Sequence, residues 1–172
     1  VLNPHARAFR EDEQRITPYI NVDEFRQIYK KYGYDLATFK DKTTLSYVAP
    51  ISPSLWILMI DSNVYKDNIR RRYPAVEGCI SEQTQEWIET CALEAKEKGA
   101  QLITVMHHNI LDHSQLLNKG FTLENNEELL AVFKKHQILL NFSGHIHVQD
   151  ITVDDEKPYP SYDVASGALS VY

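Results

Sequence analysis

"LWILMID", residues 55–61, is apolar at every position until it closes on a carboxylate. A strand solvated on one face alternates apolar and polar residues, whereas so continuous a run belongs to a strand covered on both faces, as in a parallel sheet. Two more such runs follow, "QLITVM" (101–106) and "ILLNFS" (138–143). Between them lie segments of helical period. "SEQTQEWIETCALEAKEKG" (81–99) puts Trp87, Ile88, Cys91, Ala92 and Ala95 on one face. Ser81 is placed to cap its start, Lys96 and Lys98 suit its negative end, and Gly99 suits a left-handed stop. "NEELLAVFKKH" (126–136) reads as a second helix, with Asn125 and Glu128 at capping-box spacing. The order from 55 to 143 is β-α-β-α-β. It predicts an α/β fold with a mixed sheet whose central strands, near 55–61, 102–106 and 138–143, are parallel.

Further out the signals are shorter. "NVDEFRQIYKKYG" (21–33) predicts a helix capped by Asn21, ended by Gly33, with Val22, Phe25, Ile28 and Tyr29 on its apolar face. "TTLSYVAP" (43–50) predicts a strand, and "ISPS" a turn. "DITVDD", "YDVAS" and "ALSVY" predict short closing strands that extend the sheet or form its antiparallel edge. Residues 1–20 read as polar and irregular, and 62–80 as a long connection containing "RRRYP".

Composition narrows the function. With 172 residues the chain is long enough for one domain with a real core. A net charge of −6 lacks the basic footprint of a non-specific nucleic-acid binder, so no nucleic-acid partner is expected. Cys79 and Cys91 form no CxxC pair, which argues against a thiol-rich zinc site. The longest apolar run is too short to span a bilayer, so no transmembrane segment is expected. GxGxxG, a P-loop and GxSxG are all absent from the sequence.

Each buried strand ends in residues that can ligate a metal. The first ends at Asp61, the second at His107 and His108, and the third runs through Gly144 into His145 and His147. Ligands of open α/β sheets bind at the carboxyl ends of the strands, so these five residues are expected at one rim. In "GHIH" the glycine would let the chain turn, and the i, i+2 spacing can aim two imidazoles at one pocket. Asp61, in "DSN", is equally ordinary turn chemistry. His113 reads as a solvent-exposed loop residue, His5 as part of the irregular start, and His136 as a helix-end residue near the dipole. "RRR" (70–72) reads as a solvated charge run. From the residues alone two functions remain open: a mononuclear zinc hydrolase using His107, His145, His147 and a water, or a metal-binding or regulatory module without catalysis.

"MIDSN", "VMHHN" and "GHIHVQD", in that order, resemble the calcineurin-like metallophosphoesterases, the superfamily that includes purple acid phosphatase-like and cyclic phosphodiesterase-like enzymes. "YDVASGALS" is similar to that family's closing strands, and the resemblance covers most of 43–172. It implies a four-layered α/β/β/α sandwich, two divalent ions (Mn, Fe or Zn), and hydrolysis of phosphodiester or phosphomonoester bonds. By resemblance His107 and His145 hold one ion and His147 the other, with Asp61, His108 and Asn109 as neighbours. The family's earlier motifs, Asp-x-His, Gly-Asp-x-x-Asp and Gly-Asn-His-Asp/Glu, do not occur, and "VLNPHARAF" resembles the stretch that follows the last of them. On this reading residues 1–172 are a single partial domain, the second half of the sandwich. No catalytic residue is then expected here, the leaving-group histidine lying upstream. The isolated chain is expected to bind metal weakly and to be inactive. The implied substrate is a phosphoester small molecule, such as a nucleotide or cyclic nucleotide. One sheet face is expected to be exposed, or covered by the other half or by another chain.

Overall fold

The structure of the protein, a computed structural model, describes residues 3–10, 13–66 and 68–168. In chain order its elements are β1 (Arg7–Arg10), β2 (Glu13–Ile16), α1 (Val22–Ile28), β3 (Phe39–Lys40), β4 (Tyr47–Ser52) and β5 (Leu55–Ile60). There follow α2 (Glu82–Glu97), β6 (Gln101–Met106), α3 (Asn126–Lys135), β7 (Leu140–Ser143), β8 (Asp150–Asp154) and β9 (Ser161–Ala165). Strands β3 to β9 form a seven-stranded sheet in the order β3-β4-β5-β6-β7-β9-β8. The three apolar runs are neighbours and parallel, and β9 adds a fourth parallel strand. The antiparallel members, β3 and β4 at one edge and β8 at the other, complete a mixed α/β sheet.

Helices α2 and α3 cover one face. Ile88, Cys91, Ala92 and Ala95 of α2 meet Trp56, Leu58 and Ile60 of β5, Met106 of β6, and Leu129, Val132 and Phe133 of α3 in one core. Burying each large side chain there contributes about 1.5–3 kcal/mol. Ser81 caps α2, its side chain accepting from the Thr84 N–H, and Gly99 ends it at φ 69°. Asn125 does not form the expected capping box on α3. Its side chain instead accepts from Ile80 N–H (3.0 Å) and donates to the Ile80 carbonyl (2.8 Å), clipping the 62–80 connection onto the helix.

The other face is closed at one end only. α1 begins with a complete capping box between Asn21 and Glu24, but stops at Ile28 and gives way to a 3-10 turn over Lys30–Tyr32. Val22 and Phe25 pack on Tyr34, Leu45, Tyr47 and Ala49, while Ile28 and Tyr29 stay largely exposed. The strand expected from residue 43 starts only at Tyr47, because the preceding turn wraps a buried carboxylate. Asp41 accepts from Thr43 N–H, and from the hydroxyls of Thr43, Thr44 and Thr84. Toward the far edge, strand register aligns Val105, Phe142, Val164 and Ile151 in one row. Phe142, Tyr162, Ile151 and Val153 are 40%, 42%, 66% and 49% exposed, an apolar strip that no described element covers. Residues 7–10 and 13–16 are not irregular as expected: they pair as the antiparallel strands β1 and β2, both exposed. The last expected strand, "ALSVY", lies mostly outside the described residues. No helix among the described residues is long and apolar enough to cross a membrane.

Candidate metal centre

The carboxyl ends of β6 and β7 are stitched together by a hydrogen bond of 3.0 Å from Gly144 N–H to the His107 carbonyl. Beyond Gly144 the chain turns sharply. Ile146 N–H donates to the Gly144 carbonyl at 2.7 Å, and the residue between them, His145, has φ 64°. His147 has φ 59°. The sequence assigned the turn to Gly144, but a Cβ there would meet nothing closer than Ser166 Oγ at 3.7 Å. The left-handed positions are the histidines themselves. Such backbone costs roughly 1–3 kcal/mol per residue and concentrates at functional sites.

The turn brings His145 beside His107, with ring centroids 4.5 Å apart, and the His108 ring lies 5.0 Å from His107 and 4.9 Å from His145. One ring nitrogen from each of the three lies within 4.8 Å of the others. His147 is exposed and stands outside this group, although its charge acts on His107. Phe121 packs against His145, 5.0 Å between centroids.

The three imidazoles are chemically unequal. His108 Nε2 lies 2.9 Å from the Val76 carbonyl, which can only accept, so that nitrogen carries the proton. Its Nδ1 then accepts from the Ser62 hydroxyl at 2.7 Å. Both nitrogens are committed, and burial holds the pKa of this ring below its ordinary value. His108 is therefore a neutral support. Gly78 makes the support possible: a Cβ on Gly78 would sit 2.3 Å from Nδ1 of His108, 2.4 Å from its Cγ and 2.7 Å from its Cε1. His107 and His145 have no hydrogen bond to their ring nitrogens among the described residues. Desolvation, reinforced by His108, His145 and His147, pushes the His107 pKa down to about 4. At neutral pH its lone pair is free of a proton, as a metal ligand requires. A pair of imidazole ligands suits a borderline ion such as zinc better than calcium or magnesium.

Beneath the histidines lies a polar network that the sequence did not reveal. Asp163 of β9 is fully buried. One carboxylate oxygen accepts from Ile110 N–H (2.7 Å) and Leu111 N–H (3.0 Å), in the loop after His107 and His108. The other accepts from Asn141 Nδ2 (2.9 Å) and the Ser143 hydroxyl (2.7 Å), at the end of β7. Asn109, expected beside the site, is buried and donates to Ser143 Oγ at 2.7 Å. His113, expected in solvent, has a fully buried side chain between two carboxylates: Nε2 is 3.3 Å from Asp163, and Nδ1 is 2.9 Å from Asp150. A buried carboxylate must be satisfied, and the donors from Ile110, Leu111, Asn141 and Ser143 satisfy Asp163. The one sequence signal for this was an Asp interrupting the apolar alternation of "YDVAS".

Asp61 behaves as a turn former. It accepts from Leu45 N–H (3.1 Å) and from the backbone and side chain of Asn63 (3.3 and 3.1 Å), close enough to His108 to act on its titration. His5 contacts the Arg71 carbonyl at 2.6 Å, and Arg71 pairs with Glu77. Arg71 is thus engaged in its own loop, and all three arginines of the run are exposed, as a solvated run requires.

Compared with known proteins, the chain matches no family's sequence profile and no curated protein. Among solved structures it is similar to a dimetal phosphatase from Danio rerio, with a TM-score of 0.54 and 15% sequence identity. The match covers 72% of this chain and 49% of that one, so this chain spans about half the phosphatase's length. The likeness is one of fold: a mixed sheet with parallel central strands and flanking helices.

Proposed function

We propose that this chain carries the histidine side of a metal site for phosphoester hydrolysis, and forms about half of the sandwich that completes it. The convergence of two imidazoles without hydrogen bonds to their ring nitrogens among the described residues, His107 and His145, at the carboxyl rim of the sheet carries the reading. The structural likeness to a dimetal phosphatase supports it, and so does the uncovered apolar strip around Phe142 and Tyr162, which suits a second sheet. His107 and His145 would hold one divalent ion and the exposed His147 would reach a second. Ions so placed lower the pKa of bound water and offset charge on phosphoryl oxygens. The chain's own residues do the rest: Ser62 and Gly78 fix His108, which backs both ligands, and Asp163 fixes the loops that bear them. His147 stands outside the cluster and His108 is committed on both nitrogens, which weighs against a self-sufficient zinc site made of His107, His145 and either of them.

The test is calorimetric titration of the 172-residue chain with zinc and manganese, paired with a chromogenic phosphodiester assay. One weakly bound ion is expected, lost in His145→Ala, with hydrolysis no faster than metal in buffer. Robust turnover by this chain alone would refute the shared-site reading.

A further inference from the structure

The loop that carries His145 and His147, residues 144–149, is fastened at both ends to the same neighbour, the end of β6 and the loop beyond it. At the entry, one residue before His145, the Gly144 N–H donates to the His107 carbonyl at 3.0 Å. At the exit, three residues after His147, stands Asp150. It opens β8 and pairs with Ala165, the last residue of β9, so the backbone ladder ends there. Strand ends fray, and what holds this one is a side chain. Nδ1 of His113, in the loop after β6, lies 2.9 Å from Asp150 Oδ2, and the Thr152 hydroxyl donates to the same oxygen at 3.2 Å.

Asp163 does not require this histidine. Its carboxylate already accepts from Ile110, Leu111, Asn141 and Ser143, and His113 Nε2, 3.3 Å from it, has no hydrogen-bond partner among the described residues. The ring acts through Nδ1. That nitrogen faces a carboxylate, which only accepts, so it carries the proton. The His113 side chain is 0% exposed and that of Asp150 42%, so a ring locked by burial holds a carboxylate at the surface. The bond is also the main cause that keeps the Asp150 carboxyl below its ordinary pKa. Three residues reach at most about 10 Å, so a shift of Asp150 passes directly to His147. The two fastenings differ in kind. The entry joins backbone to backbone beside His145. The exit joins side chain to side chain beside His147, the imidazole that stands apart from the cluster.

We propose that His113 is the positioning residue of His147: by clamping Asp150 it fixes the exit of the loop, while the bond from Gly144 to His107 fixes His145 at the entry. That His147 then reaches a second ion rests on the function proposed above; the clamp does not. Each of the two ions would depend on its own fastening.

The experiment measures ¹⁵N relaxation of the 172-residue chain in EDTA, so that metal takes no part. In the parent, residues 145–149 should be as rigid as the strands, with order parameters near about 0.85. His113→Ala should bring those of 147–149 below about 0.6 and leave Gly144 and His145 ordered. A general loss of packing would loosen both ends; loss of the clamp loosens one. His113→Asn, whose amide nitrogen replaces Nδ1, should restore order, and His113→Gln, whose amide nitrogen replaces Nε2, should not. Asp150→Ala breaks the same clamp from its half-exposed side without opening the core, so it should reproduce the loss, and the double variant should add nothing. Order kept at 147–149 in Asp150→Ala, equal loss at both ends, or equal rescue by Asn and Gln would each overturn the proposal. Zinc titration of His113→Ala should give an affinity within about threefold of the parent, and a fall beyond about tenfold would assign His113 to the first ion and overturn it too. A parent chain that binds no zinc counts against the proposed function and leaves the relaxation result standing.

Discussion

Gly78→Ala is a one-methyl change aimed at the support of the metal centre. The added Cβ would lie 2.3–2.7 Å from three atoms of the His108 ring, where ordinary contacts begin near 3.4 Å. Neither side can yield cheaply. The ring is held at 2.7 Å by Ser62 and at 2.9 Å by the Val76 carbonyl. The Gly78 backbone is held by its bridge to Asn63 and by Glu124 N–H, which donates to its carbonyl at 2.9 Å. Relief requires the ring to leave two buried hydrogen bonds, at about 1 kcal/mol each, with a further ~1–3 kcal/mol of overpacking. A loss of about 3–5 kcal/mol is expected, a fall in Tm of roughly 6–20 °C for a chain of this size. Circular dichroism in heat and urea measures it. In a His108→Ala background the same methyl enters vacated space, so Gly78→Ala should there cost under about 1 kcal/mol, and the pair should be strongly non-additive. A Tm within 2 °C of the parent for the single variant, or equal losses in both backgrounds, would refute the reasoning.

Asp163→Asn turns an NH₂ toward groups that all donate, so it should cost about 3 kcal/mol or more and weaken zinc binding through both histidine loops; thermal melts and calorimetry read the two effects. Asp41 is the acid-sensitive element. Burial works against its ionisation, but hydrogen bonds from Thr43, Thr44 and Thr84 prevail and hold its pKa below 3.8. Its stabilisation is therefore present above the unfolded value and lost as pH falls through the folded one, and Asp41→Asn should flatten the stability profile below about pH 4. An unchanged acid limb would exclude Asp41 as its source. His107→Ala should abolish zinc binding while leaving Tm within a few degrees, because that ring is supported by contact and makes no hydrogen bond.

The sheet was legible because its central strands are apolar on both faces, even where only the helix-covered face is fully buried, and an apolar run cannot hide. Strand polarity put Asp61, His107, His108, His145 and His147 at one rim; the structure groups His107, His108 and His145, while His147 stands outside and Asp61 forms a turn. What stayed illegible depends on contacts distant in sequence. Nothing in "EGC" marks Gly78 as the glycine against which an imidazole must lie. His113 sits in a polar stretch and reads as solvated; only the fold brings Asp150 and Asp163 to its two sides. Asn125 and Glu128 had capping-box spacing, but Ile80 competes for the same amide. The left-handed turn fell to His145 because Gly144 stays tied to His107, and spacing alone cannot assign φ.

The position of β9 sets an order of assembly. It is made after β8, yet it lies between β7 and β8, and β8 pairs with no other strand among the described residues. Asp163 arrives with it. On a ribosome, the loops bearing His107 and His145 emerge well before the carboxylate that fastens them. A metal ion meeting the nascent chain at that stage finds two histidines on untethered loops, and the geometry that selects among ions is imposed only once the last strand has threaded into its gap.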